Sequence, residues 1–228
     1  MADTIKWSGI EQTKYGLTAR WYVSAYYGND IDVDGAGYYN PSTNPTGHGG
    51  PTRPFASLSK LHQDANVLVN SVILIDSGNY IVASFTKPVS LIGDGTVVIS
   101  SSVINNPQNA TNAFYNLTLL NCSLGSINTI LRFSDCRIYY GSQQSRPGII
   151  THVNTLFIEH VFNSFEATVI KNCTYINCSG FLGSASFSTK IENIDIINSP
   201  NLTVRQTTPR PTGIYMDFSI VIGTVKSN

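Results

Sequence analysis

The sequence predicts an all-β protein built as a solenoid of short coils. Apolar segments of β type recur from residues 72–75 to residues 191–197, and Gly, Asn, Ser or Pro interrupt them. Their spacing suits the short coils of a β-solenoid. Asparagine accepts the left-handed backbone of a tight turn at low cost, and stacked Asn side chains can hydrogen-bond as a ladder. Five such residues end or interrupt apolar segments: Asn121, Asn172, Asn177, Asn193 and Asn198.

Several elements precede the predicted coils. Residues 21–27 predict an aromatic strand, residues 28–54 a long loop rich in Gly, Pro and Asn, and residues 57–69 a short helix. Ser57 or Ser59 can serve as the N-cap of that helix. The predicted divisions are an N-terminal docking arm at 1–20, an entrance strand, loop and capping helix at 21–70, and coils with a terminal strand pair at 71–228.

The arm contains too few large apolar residues for a core of its own, so we expect it to dock on a partner or on the body of the same chain. The residues predicted to make this contact are Trp7, Ile10, Tyr15 and Leu17.

The order of these elements resembles the entrance of the right-handed parallel β-helices of the pectate-lyase-like superfamily. The resemblance is carried by WYVSAYYGND at 21–30, DG at 34–35 and RPFASL at 53–58. It implies a right-handed parallel β-helix with one short N-terminal capping helix. The pattern is similar to that of tail spike and fibre proteins of tailed bacteriophages. It therefore implies a structural virion component, or an adaptor, that attaches through its N-terminus, projects toward the host surface and usually forms a homotrimer.

Composition narrows the expected partners. Charged residues make up 12% of the chain, and Lys+Arg equals Asp+Glu at 14 each. A neutral chain lacks the basic patch that nucleic acid or an anionic membrane attracts. The first residues do not form a signal peptide, so the expected location is a virion made in a host cytoplasm. The expected partners are other virion proteins, further copies of the chain and a host-surface glycan, and no cofactor is predicted.

An enzyme that cleaves polysaccharide is the alternative function. Glycoside hydrolysis uses two carboxylates about 5–10 Å apart. Glu192 and Asp195 are close in sequence, and Glu159 and Asp135 could meet across coils. The clustered Asp-Asp motif of polygalacturonases is absent, so the chain is expected to be structural; if it is an enzyme, it is a lyase or a glycoside hydrolase. His152 and His160 flank Glu159, and we expect them at the surface or in hydrogen bonds.

Two further groups of residues suggest binding. Asp30, Asp32 and Asp34 begin like a calcium loop, but its twelfth position is Pro41 instead of Glu, which leaves either a looser calcium site or a solvated acidic turn. The resemblance favours the turn. Adjacent tyrosines in a strand point to opposite faces, so one ring of each pair could pack inward while the other meets a glycan or a subunit. These pairs are Tyr26 with Tyr27, Tyr38 with Tyr39, and Tyr139 with Tyr140. A third possible function is therefore a glycan-binding module without catalysis.

Overall fold

The computed structural model describes residues 5–32, 35–82, 84–85, 87–100, 103–106, 111–126, 130–145, 149–163, 167–182 and 190–204. In these residues the chain forms two short helices, α1 (Ile10–Tyr15) and α2 (Leu58–Gln63). It also forms 18 strands: β1 (Trp21–Val23), β2 (Ser71–Ile81), β3 (Ser84–Phe85), β4 (Val89–Ser100), β5 (Val103–Asn106), β6 (Thr111–Tyr115), β7 (Thr118–Leu120), β8 (Ser123–Ser126), β9 (Ile130–Ser134), β10 (Arg137–Tyr139), β11 (Ser142–Ser145), β12 (Ile149–Val153), β13 (Leu156–Ile158), β14 (Val161–Asn163), β15 (Ala167–Ile176), β16 (Ser179–Leu182), β17 (Lys190–Ile197) and β18 (Leu202–Val204).

The strands pair in parallel along the stack and form three faces, which confirms the predicted parallel β-helix. Face 1 contains β1, β6, β9, β12 and the first parts of β2, β4, β15 and β17. Face 2 contains β7, β10, β13 and the second parts of the same four long strands. Face 3 is a separate seven-stranded sheet of β3, β5, β8, β11, β14, β16 and β18.

Two columns of residues with left-handed backbone turn the chain from face to face. Corner A, between faces 1 and 2, contains five residues whose φ values lie between 49° and 56°: Asn116, Asp135, Asn154, Asn172 and Asn193. Corner B, between faces 2 and 3, contains Asn121, Tyr140, Glu159, Asn177 and Asn198. All five asparagines predicted to occupy turns are therefore in the expected conformation. Left-handed backbone is accessible to Asn and Asp because their side chains hydrogen-bond locally.

The asparagine ladder also forms, and it follows corner A. Asn154 Nδ2 donates to Asp135 Oδ1 at 3.1 Å, Asn172 Nδ2 donates to Asn154 Oδ1 at 3.1 Å, and Asn193 continues the series to Asn172 at 3.1 Å. These links span 19, 18 and 21 residues, which is the length of each coil at that level. The side-chain ladder therefore reinforces the register that the backbone pairing sets.

Several of the residues that follow a corner are small hydrogen-bond donors that point into the core. Thr155 Oγ1 donates to the Val153 carbonyl at 2.9 Å, and Ser199 Oγ donates to the Ile197 carbonyl at 2.9 Å. The four cysteines occupy equivalent positions and direct their thiols at carbonyls two residues earlier: Cys122, Cys136, Cys173 and Cys178. They are free and buried, as expected of cysteines that fill a core. At Cys136, Cys173 and Cys178 the thiol is a second donor to a carbonyl that already accepts a backbone N–H from the neighbouring coil.

The core runs along the inside of the coils. One inward column of face 1 passes from Leu91 through Phe114, Phe133 and His152 to Ile170. Phe114 and Phe133 stack with ring centroids 5.2 Å apart, and Phe157 stacks on Tyr175 in face 2 at 5.1 Å. Burial of such rings is the main favourable contribution to the stability of the stack.

The N-terminal end of the stack differs from the sequence prediction in three respects. The arm contains a helix, α1, that the sequence did not predict. Helix α2 ends at Gln63 instead of residue 69, because Asp64 is extended and its carboxylate accepts from the Asn66 N–H at 2.9 Å. Ser57 is its N-cap, since its hydroxyl accepts from the Lys60 N–H. The loop at 28–54 is packed rather than exposed around His48, which is buried.

The terminal strand pair predicted after residue 213 lies outside the described residues. Among the residues that are described, no helix is long and apolar enough to cross a membrane.

Candidate functional site

The outer surface of the stack differs from face to face. On face 3 one outward column alternates serines with exposed valines, and the Ser142 hydroxyl lies 3.5 Å from that of Ser123. The column runs Val103, Ser123, Ser142, Val161 and Ser179. Face 1 is apolar at its N-terminal levels, where Leu74 and Ile92 are buried although they point away from the core. The side chains that bury them come from the arm.

The arm forms a strap across the outside of face 1. Trp7 packs edge-on against Tyr22 at 5.1 Å, and Tyr15 packs against Tyr115 at 4.5 Å. Leu17 completes the cover over Leu74 and Ile92. Of the residues predicted to dock the arm, Trp7, Tyr15 and Leu17 therefore contact the body of their own chain. Ile10 is 68% exposed, and its docking on a partner stays a prediction.

Polar contacts fix the strap at both ends. The Trp7 indole N–H donates to the Pro51 carbonyl at 2.8 Å, and Ser8 bonds to the Asp94 carboxylate through its backbone N–H at 2.7 Å. At the other end, the Tyr15 hydroxyl donates to Asp135 at 2.6 Å, and Lys14 Nζ lies 3.2 Å from the same carboxylate.

Asp135 thus links the strap to the ladder at corner A. Burial opposes the ionisation of Asp135, but donors from Tyr15, Asn154 and Lys14 outweigh it and hold the pKa of the carboxyl below its usual range. Burial, followed by the bond to Asp135, raises the pKa of Tyr15. The carboxylate that the sequence suggested as catalytic is therefore engaged in structural hydrogen bonds.

The structure does not bring Asp135 and Glu159 together across coils. Asp135 is on corner A and Glu159 is on corner B, and the two corners are five residues apart along each coil, or about 16 Å of extended chain. That separation exceeds the roughly 10 Å limit for a pair of glycosidase carboxylates. Glu192 pairs with Lys171 at 3.1 Å on face 1, whereas Asp195 lies beyond the corner at Asn193 on face 2.

His152 and His160 are in the core. His152 meets the hydrogen-bond expectation, since its Nδ1 lies 3.2 Å from the Tyr175 hydroxyl, whereas His160 is neither at the surface nor hydrogen-bonded through its ring to a described residue. Both are fully buried, because His152 occupies the inward column after Phe133 and His160 follows the corner residue Glu159. The His152 ring lies 4.6 Å from Phe157, and the His160 ring lies 4.7 Å from Phe162. Burial lowers the pKa of each imidazole to about 3, and His160 adds to the effect at His152. The alternation Thr151-His152-Val153 was a sequence signal for this placement.

The acidic turn uses its carboxylates to hold the loop. Asp30 accepts from the backbone N–H groups of Ala56 and Ser57 at 2.9 and 3.0 Å, and Asp32 pairs with Arg53 at 3.2 Å. Asp34 lies outside the described residues. No group of three or more potential metal ligands occurs in the described part of the chain. Asp30 and Asp32 therefore organise the entrance loop through contacts within the chain.

The tyrosine pairs do not all alternate between core and surface. Tyr26 and Tyr27 follow β1 in a turn, so both rings are exposed, at 81% and 39%. Tyr38 donates to Asp64 at 2.8 Å, while Tyr39 packs edge-on against Tyr22. The third pair is on face 2 and corner B: Tyr139 is partly buried, and Tyr140 is 52% exposed.

The outside of face 2 is the candidate functional surface, and the sequence did not predict it. One outward column is mainly aliphatic: Ile81, Ser100, Leu120, Tyr139, Ile158, Ile176 and Ile197. The second outward column contains Asn79, Val98, Thr118, Arg137, Leu156, Thr174 and Asp195. No other part of the described chain covers these columns as the arm covers face 1. An uncovered apolar face of this extent is typical of an interaction site.

The chain is therefore a parallel β-helix protein whose own N-terminal strap covers the outside of face 1 and whose face 2 carries an apolar outward column. No protein-family model and no curated protein matches it significantly. Among solved structures it is similar to the pectin methylesterase from Aspergillus niger, with 12% identity, a TM-score of 0.35, and coverage of 75% of this chain and 83% of that one. It is also similar to a rhamnogalacturonan lyase, with 13% identity, a TM-score of 0.25, and coverage of 80% of this chain and 56% of the lyase. These similarities concern the fold alone.

Proposed function

We propose that the chain is a structural protein without a catalytic role, whose rigid β-helix associates with other proteins through face 2. The observation that carries this proposal is the apolar column from Leu120 to Ile197, which the described part of the chain leaves uncovered. Exposed aliphatic side chains on a regular sheet are costly in water and are useful when a second surface covers them.

The use of the carboxylates supports a structural role. Asp30 organises the start of α2, Asp94 holds the arm, and Asp135 joins the arm to the corner ladder. A catalytic acid or base needs a carboxyl group that can approach a substrate. These three are instead occupied by donors of the same chain, so their chemistry serves the fold.

The setting we propose is a bacteriophage particle, as the resemblance of the entrance residues implies. The chain would be made in the host cytoplasm and carried in the virion as a spike, fibre or adaptor component. Its partners would be other virion proteins and further copies of itself. Ile10, a large apolar residue of the arm that is exposed, is the first candidate for a contact with the particle.

A glycan-binding role is a second candidate, and the exposed Tyr26–Tyr27 pair favours it. Their rings lie 4.6 Å apart in an edge-to-face arrangement beside the entrance loop. Exposed tyrosines of this kind can stack on sugar rings without any catalytic group. This role is compatible with a structural protein that contacts a host surface.

Mass spectrometry of purified particles from the lysate that contains the chain tests the structural proposal. We expect the chain to co-purify with the particles in a fixed ratio to their other proteins. The purified chain, incubated with a panel of polysaccharides, should release neither reducing ends nor unsaturated sugars. Recovery only in the soluble fraction, together with turnover of a glycan that Asp195→Asn abolishes, would establish the enzyme alternative instead.

A further inference from the structure

Face 2 carries opposite charges at two separated levels. Arg137 and Asp195 belong to the same outward column, and two strands, those of Leu156 and Thr174, lie between them. Both side chains are exposed. Of the residues that the structure describes, none forms an ion pair with either. The rest of this column between residues 118 and 195 is uncharged, so these two residues dominate its electrostatics.

The positions of these charges are related by a two-fold axis. This axis lies in the plane of the face and runs parallel to the strands, midway between β13 and the second part of β15. A rotation about it exchanges the level of Arg137 with that of Asp195. It also places Leu156 opposite Thr174 and Ile158 opposite Ile176. Because this axis preserves the position along the strand, each outward column meets the same column of the second copy.

We propose that two copies of this chain pair face to face through face 2 in an antiparallel arrangement. Arg137 of each copy then meets Asp195 of the other, which gives two symmetrical ion pairs around an aliphatic centre. This is an isologous interface, in which residue i contacts residue j and residue j contacts residue i. The pairing rests on the proposed structural role of face 2 and specifies the partner that covers it.

Parallel arrangements are less favourable on the same surface. A two-fold or three-fold axis along the stack places the same level of each copy side by side. Arg137 of one copy then lies at the level of Arg137 of the next, and Asp195 at the level of Asp195. Each charge would then be desolvated without an opposite partner, and like charges are unfavourable across an interface. The homotrimer that the sequence resemblance implied is therefore an alternative outcome of the experiment.

The size of the overlap sets the expected strength. The four shared levels cover about 20 Å along the stack, since neighbouring strands are about 4.8 Å apart. Eight outward side chains per copy lie in this area, fewer than the roughly 20–30 residues a side of a standard interface, so the contact is of the weak, transient kind. We therefore expect association in the micromolar range, reduced by salt because the ion pairs lie on the surface of the patch.

A charge-exchange experiment on the full chain tests the pairing. Sedimentation velocity over a series of protein concentrations should show a reversible species of twice the 24.8 kDa chain mass. Arg137→Asp places two carboxylates opposite each other, and Asp195→Arg places two guanidinium groups opposite each other. Each single variant should weaken the pairing at least about tenfold, because like charges then replace opposite ones. The double variant R137D/D195R should restore it.

A mixture of the two single variants gives the sharpest result. One carries two carboxylates and the other two guanidinium groups at the paired positions, so they should form a mixed dimer although each alone is monomeric. Arg132→Asp, on the outside of face 1, is the matched control and should leave the dimer unchanged.

Three outcomes would overturn the pairing: a chain that stays monomeric at high concentration, a trimer, or a dimer indifferent to the charge exchange. None of these outcomes would prevent the chain from co-purifying with particles. The sedimentation experiment therefore tests the pairing, and the co-purification experiment tests the structural role independently.

Discussion

Acidification should destabilise this protein well before its carboxylates are protonated, because His152 and His160 are neutral in the core. Neither ring nitrogen of His160 has a hydrogen-bond partner among the described residues, and the two imidazoles are surrounded mainly by aromatic rings. A charged imidazole in this environment would lose its hydration, and a neutral hydroxyl such as that of Tyr175 beside His152 offsets only part of that cost. The perturbation is therefore a shift from pH 7 to pH 5.

The magnitude follows from the two pKa values of each histidine. The unfolded chain binds the proton with a pKa of 6.5, whereas burial lowers the pKa in the folded protein to about 3. A lowered histidine pKa means that the unfolded state binds more protons, so stability is full above pH 6.5 and falls as the pH drops toward 3. Linkage gives a loss of about 2 kcal/mol per histidine at pH 5, or about 4 kcal/mol for both.

The assay is urea unfolding at a series of pH values, for the native chain and for His152→Phe/His160→Cys. Phenylalanine continues the column of Phe114 and Phe133, and cysteine is the residue found at the equivalent corner positions 122 and 178. The quantity compared is the change in unfolding free energy between pH 7 and pH 5, so pH-independent packing costs cancel. Burial also lowers the pKa of His62, which both proteins retain.

The native chain should lose about 4 kcal/mol more than the variant between pH 7 and pH 5. The lowered pKa values of Asp64 and Asp135 produce their own losses only below their ordinary value of 3.8, outside this window. Equal pH profiles for the two proteins would refute the reasoning, because they would show that the imidazoles become protonated without unfolding the core.

The remaining predictions concern the strap, the corners and the thiols. Removal of residues 1–20 should destabilise the body by roughly 5 kcal/mol and cause aggregation, since it exposes Leu74, Ile92 and Tyr115; an unchanged unfolding midpoint would contradict the strap. Asn172→Ala should cost about 2 kcal/mol in urea unfolding, and Asn172→Gly less, because glycine retains the left-handed backbone and loses only the ladder; equal losses would exclude backbone strain. The thiols should not react with a disulfide reagent until the chain unfolds, since burial raises the pKa of Cys136 to about 12 and that of Cys173 to about 11; rapid labelling of the folded chain would be inconsistent with this burial.

The sequence predicted the coils because each corner imposes a local requirement that specific residues meet. Asn172 and Asn177 are five residues apart, with a cysteine after each, and this spacing reproduces both turns of one coil. Asp135 and Glu159 occupy the same kinds of corner, but their carboxylates suggested catalysis. Their structural roles depend on contacts between distant coils, which a single strand does not reveal.

Outward and inward aliphatic residues were harder to distinguish. The segment Leu156-Phe157-Ile158 is apolar on both sides, and only its pairing in the stack shows that Phe157 faces the core. A short apolar run of this kind is consistent with burial on both faces. The strap satisfies that expectation on face 1, and it could not be assigned from the sequence because its contacts join residues about a hundred positions apart, such as Tyr15 and Asp135.

The strap also explains why face 2 is the surface to test first. The chain covers the apolar outside of face 1 with its own Trp7, Tyr15 and Leu17. On face 3, serines separate the exposed Val103 and Val161 of the outward column. A continuous outward aliphatic column is therefore avoided on two faces, by the strap on face 1 and by the interposed serines on face 3. On face 2, no polar residue separates Ile158, Ile176 and Ile197, and no described part of the chain covers them. A covering partner accounts for this difference, and the charges of Arg137 and Asp195 make a second copy of the chain the partner with matching chemistry.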